Sequence, residues 1–131
     1  MKQSIIDTNA LLRFLLDDVP HQVEKVKQKL NLAKLGKIEL VVPQIVIFEI
    51  VFNLTKLYEF EKDRVIEGVK IILSTPYLKI QDRDFFNLAV QLFQENKLSF
   101  VDCFLAAYAQ DINGEIFSFD KNLNKLLAKE Q

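Results

Sequence analysis

The sequence predicts an α/β fold: three α/β/α layers around a twisted, mostly parallel sheet of about four to five strands. Two observations carry this expectation. Short apolar runs (QSII, IELVV, YLKI, EIFSF) alternate with longer stretches whose aliphatic residues recur at helical spacing. Strands separated by helices in this way imply parallel pairing with helices covering both faces. A third observation sets the scale. The chain has 131 residues, half of them hydrophobic, and only six Pro and Gly together. It therefore reads as one domain over residues 1–131, with no linker, repeat or low-complexity segment.

Each element follows from local signals. Residues 3–6 form a short strand ending at Asp7. Leu11, Leu12, Leu15 and Leu16 give the next segment, 8–16, one helical face. Pro20 opens a second amphipathic helix, with Val23, Val26, Leu30 and Leu35 inward and Gly36 closing it. Residues 38–42 are a strand stopped by Pro43. The stretch 44–60 is too long for one strand and reads as a buried helix despite its β-branched content. A helix from Lys62 to Ser74 and a break at Thr75–Pro76 precede the strand 77–80. Asp82 or Asp84 starts a helix that ends near Lys97, and Ser99 starts another that ends before Asn113–Gly114. EIFSF (115–119) is the last strand, and Asp120 opens a C-terminal helix.

Composition narrows the function classes. The single cysteine, Cys103, allows neither an internal disulfide nor a cysteine zinc cluster. The lone histidine, His21, next to Pro20, argues against a Ser/His/Asp site. Glycines 36, 68 and 114 are scattered, so no P-loop or dinucleotide fingerprint is present. No apolar run is long enough to span a membrane, and the first residues lack the pattern of a signal peptide. The expectation is a cytoplasmic protein without a membrane association. A net charge of −1 argues against gripping nucleic acid through excess Lys and Arg alone. Lys121, Lys125 and Lys129 form a stripe with the spacing i, i+4, which reads either as a solvated helix face or as an RNA-backbone track.

Four acids stand out. In an open α/β sheet, ligands bind outside the carboxyl ends of the strands, and Asp7 and Asp120 each end an apolar strand. Glu49 lies in PQIVIFEIVFNL, where eight of the ten residues 45–54 are aliphatic or aromatic. Asp102 lies in the first turn of the Ser99 helix. Helix capping accounts for Asp7 and Asp120, and Ser99-x-x-Asp102 resembles a capping box. Glu49 is past the first turn, so its structural alternatives are a salt bridge or an exposed stripe. Carboxylates gathered at one end of a sheet repel one another, and a divalent cation turns that repulsion into a binding site. Mg²⁺ or Mn²⁺ takes hard oxygen ligands and substrate phosphates, and promotes phosphodiester hydrolysis.

IIDTNALLRFLL, PQIVIFEIVFNL, LSFVDCFLAAYA and IFSFDKNLNKL resemble, in order, the acidic motifs of PIN-domain nucleases. The resemblance covers residues 3–128, and the opening DTNALLRFLL is most like a VapC-type toxin of a toxin–antitoxin pair. Position by position, it implies that Asp7, Glu49, Asp102 and Asp120 are the catalytic, metal-binding acids. Asp7, Glu49 and Asp102 would hold the first ion, and Asp120 would complete the site or help place a second. Thr8 and Asn9 match the polar pair after the first Asp. Ser118 stands where the family usually has Thr, and with Thr8 and Asn9 would hydrogen-bond the acids, waters or phosphate. Arg13 stands where similar toxins often carry Arg, and reads either as a contact to phosphate or an antitoxin carboxylate or as a solvated helix charge. The implied activity is Mg²⁺- or Mn²⁺-dependent endoribonuclease cleavage of RNA, by a homodimer held in check by a protein antitoxin. An RNA-maturation nuclease and a non-catalytic PIN-like binding module are the alternatives. A haloacid-dehalogenase-like phosphatase would need an acid two residues after Asp7, where Asn9 stands.

Overall fold

The computed structural model describes residues 1–130, and the chain divides into two compact units, Met1–Gln81 and Asp82–Gln131. The first unit runs β1 (Lys2–Ile5), α1 (Thr8–Leu16), α2 (Pro20–Lys34), β2 (Ile38–Val42), α3 (Gln44–Lys56), α4 (Lys62–Leu73) and β3 (Leu78–Ile80). The second holds α5 (Arg83–Glu95), α6 (Phe100–Asp111) and α7 (Lys121–Glu130).

The sheet of the first unit is wholly parallel, in the order β1-β2-β3. Ile5 pairs with Val41 and Val42 with Ile80, and a helix pair makes each crossover. On one face Glu39 accepts from Gln3 (3.3 Å) and from Lys79 (3.1 Å), so one carboxylate ties the three strands. The Lys79 bond foremost, then the Gln3 bond, holds the Glu39 carboxyl below its ordinary value. Leu40, Val42 and Leu78 from the strands, Leu11 from α1, Ile47, Ile50 and Leu54 from α3, and Val69 and Ile72 from α4 are almost fully buried.

Helix boundaries follow the expected punctuation. Pro20 occupies the first turn of α2, and Val23, Val26 and Leu30 face inward, but Leu35, expected to join them, is the C-cap residue and is exposed. Gly36, at φ +75°, ends the helix in a Schellman turn: Lys37 N donates to Leu32 O (2.9 Å) and Gly36 N to Ala33 O (3.0 Å). Asn113 takes the same left-handed place after α6, at φ 52°, with Gly114 N donating to Ala109 O (2.9 Å). In the second unit, Phe86 packs against Phe104 (4.9 Å between centroids) and stacks on Phe100 (6.1 Å). Cys103 is fully buried in the same unit.

The strand count is a correction. Three strands form among the described residues, against about four to five expected, because EIFSF (115–119) joins no ladder. Its burial still alternates as in a strand: Ile116 and Ser118 are half-buried, while Glu115, Phe117 and Phe119 are exposed. Strand preference is a fit to a neighbouring pleated surface, so a well-patterned segment without a paired neighbour is not a strand.

Candidate metal centre

Asp7 lies two residues after the end of β1 and caps α1. Its backbone is extended (φ −89°, ψ 174°), and its Oδ1 accepts from Ala10 N at 2.9 Å. The cap satisfies one of the helix's orphan N–H groups and fixes the carboxyl in place. Thr8, the first residue of α1, is buried, and its hydroxyl donates to Glu49 Oε2 at 3.1 Å. That bond joins the DTN motif to α3 across 41 positions of sequence. Asn9 is exposed on the first turn of α1.

The placement of α3 depends on a borrowed cap. Pro43 precedes the helix without a side-chain cap, and Gln81 Oε1, just beyond β3, accepts from Gln44 N at 2.9 Å. The end of one strand thereby anchors the helix that follows another. Sequence reasoning missed Gln81, since nothing local marks a glutamine as a cap for a helix so far upstream.

Glu49 is not the buried charge that its neighbours in sequence suggested. It shares an exposed face of α3 with Ile45 and Phe52, both about 60% exposed, while Val46, Ile47, Ile50, Val51 and Leu54 face inward. The Thr8 hydroxyl holds one oxygen of the carboxylate. Among the described residues no Lys or Arg pairs with it, which removes the salt-bridge alternative.

In the second unit Ser99 caps α6, its Oγ accepting from Asp102 N at 3.1 Å. This is one half of a capping box; among the described residues Asp102 returns no bond to Ser99. The half-buried Asp102 sits in the first turn, where the helix dipole favours its charge. Asp120 Oδ1 accepts from Leu123 N at 2.9 Å and so caps α7. Ser118 Oγ accepts from Asp120 N (3.0 Å), and Asn124 Nδ2 donates to Ser118 O (3.0 Å). The motif SFDKN thus folds back on itself and holds Asp120 at the helix entrance; Asn124 is a member that motif reading passed over.

Arg13 is engaged elsewhere. It donates through Nη2 to the Tyr58 hydroxyl (2.8 Å) and pairs through Nη1 with Asp18 (3.0 Å), and its side chain is 11% exposed. It joins the far end of α1 to the turn after α3.

The structure therefore brings Thr8, the neighbour of Asp7 in sequence, against Glu49 in one unit, and Ser118, Asp120 and Asn124 together in the other. Within neither unit do three Asp, Glu, His or Cys side chains among the described residues form a ready metal cluster. The donor chemistry of each unit suits a hard divalent ion: Asp7 and Glu49 in the first, Asp102 and Asp120 in the second, none paired with Lys or Arg among the described residues. No helix among the described residues is long and apolar enough to cross a membrane.

The sequence pattern of the PIN domain matches residues 4–128. The chain is also 30% identical over 124 residues to a protein described as VapC ribonuclease, from Aquifex aeolicus (strain VF5). That alignment covers 93% of this chain and 90% of the relative.

Proposed function

The chain belongs to the PIN-domain family, and from that premise we propose that it is a metal-dependent endoribonuclease, the toxin of a toxin–antitoxin pair. The observation that carries the reading is the set Asp7, Glu49, Asp102 and Asp120: four carboxylates with no cationic partner among the described residues, in the stretches whose sequence resembles the family's acidic motifs. The match across 4–128 supports treating both units as parts of one domain. The relative's name supports RNA as substrate.

In this reading the four acids supply the oxygens for Mg²⁺ or Mn²⁺. A bound divalent ion contributes Lewis acidity and neutralises charge developing on the phosphate oxygens. The chain's own groups do the rest. The Asp7 cap and the Thr8–Glu49 bond hold two carboxylates in fixed rotamers, so little reorganisation is needed when substrate arrives. A carboxylate oxygen left open by these bonds accepts the proton of the attacking water. Ser118 and Asn124 hold the backbone at Asp120, and Asn9 is an exposed donor for phosphate. A cytoplasmic homodimer with a protein antitoxin completes the proposal.

The test is RNA cleavage by the purified protein. EDTA should stop it, Mg²⁺ or Mn²⁺ should restore it, and Asp7→Asn should reduce it by at least about 100-fold. Cleavage that persists undiminished in thoroughly chelated buffer would overturn the metal requirement. Induced expression should arrest growth, with relief on co-expression of the antitoxin.

A further inference from the structure

A cleft of about 250 Å³ in the second unit is lined by Lys97, Lys125 and Lys129, the carboxamides of Asn96 and Asn122, and the leucines Leu98 and Leu126. We propose that it is a binding subsite for the RNA phosphodiester backbone, an inference that rests on the ribonuclease reading above.

Three observations set this cleft apart from an ordinary solvated lysine face. Its lysines come from two places: Lys125 and Lys129 from α7, and Lys97 from the turn after α5. Lys121, the third member of the sequence stripe, does not line it. Among the described residues no carboxylate lines the cleft, and none pairs with Lys97, Lys125 or Lys129. A concave surface with three unneutralised ammonium groups attracts a polyanion. This local positive charge also resolves how a chain of net charge −1 meets one.

The chemistry favours RNA over an acidic protein surface. Leu98 and Leu126 are only 8% and 4% exposed, so the cleft offers almost no apolar area for a partner's anchor residue. Lys125 and Lys129 lie one helical turn apart, about 6 Å along the axis, a separation of the same order as that between consecutive phosphates of an extended strand. Asn96 Nδ2 donates to Leu92 O (2.9 Å); the Asn122 carboxamide both donates and accepts, which matches the ribose 2′-hydroxyl.

The experiment is fluorescence anisotropy with a mixed-sequence single-stranded RNA oligonucleotide in EDTA. It compares the wild-type protein with K97Q/K125Q/K129Q and with Lys29→Gln on α2 as control, alongside cleavage kinetics with the ion restored. Each phosphate neutralised on a single strand contributes about −0.7 to the log–log salt slope, so the triple variant should lose about 2 from it. Between about 50 and 200 mM salt the wild type then loses about 20-fold more affinity than the variant. KM should rise about tenfold with kcat unchanged, a DNA of the same sequence should bind more weakly, and the control should match the wild type. If the wild type cleaves RNA but the triple variant keeps its slope and KM, the cleft assignment falls alone. The same holds if the variant keeps its RNA slope and loses an antitoxin complex. A wild type that neither binds nor cleaves RNA overturns the functional reading as well.

Discussion

Replacing Arg13 with alanine should lower the thermal midpoint by about 11 °C, and replacing it with methionine by only about 4 °C. The difference comes from what each substitution removes. The guanidinium donates one bond to Tyr58 (2.8 Å), worth about 1.5–3 kcal/mol for a charged donor. Its ion pair with Asp18, which is 36% exposed, adds about 0–1 kcal/mol. Against these stands the buried Nε, which finds no hydrogen-bond partner, at a cost of about 1–3 kcal/mol. The polar terms therefore nearly cancel, leaving about 1 kcal/mol, and methionine loses only that while keeping an apolar stem in place. Alanine also loses two buried methylenes, about 1.6 kcal/mol, and leaves a small void, for a total near 3 kcal/mol. With an unfolding entropy of about 2.1 cal/mol/K per residue over 131 residues, 1 kcal/mol corresponds to about 4 °C. The assay is thermal unfolding followed by circular dichroism, with calorimetry confirming a single transition. Equal losses for the two variants would refute the reasoning, because the charge and not the stem would then hold α1 to the turn after α3.

Two further outcomes are expected. Thr8→Val keeps the shape of a buried residue but removes the donor to Glu49; cleavage should fall about tenfold, in line with one lost hydrogen bond to a charged group, while Thr8→Ser restores it. Gly36→Ala should cost about 1 kcal/mol and about 4 °C by backbone strain alone, since an added Cβ there meets nothing within 4 Å.

What was legible in the sequence was local. Pro20, Asp7, Ser99 and Asp120 mark helix starts because capping involves groups within three residues, and Gly36 and Asn113–Gly114 mark stops for the same reason. Reading one residue at a time failed wherever the partner was distant. The apolar neighbours of Glu49 implied burial, yet the helix turns only Val46, Ile47, Ile50 and Val51 inward and leaves Glu49 on an exposed face with Ile45 and Phe52. Gln81 capping α3 and Tyr58 receiving Arg13 join positions 37 and 45 residues apart, which no spacing rule anticipates. Residues 115–119 show the converse: their alternation is that of a strand, but a ladder also requires a neighbour. The lysine stripe of α7 was visible as a periodicity, while the contribution of Lys97 to the same cleft was not.

The capping bonds of Asp7 and Asp120 carry a consequence for how such a chain can be disarmed. Asparagine caps a helix as well as aspartate does, because the bond to the backbone N–H needs an oxygen and not a charge. Asp7→Asn and Asp120→Asn therefore strip negative charge from the proposed ion site while leaving both helix entrances intact. Under the proposed function, such a chain is an inert decoy: it keeps its shape, still sequesters the antitoxin, and frees active copies of the same protein to act.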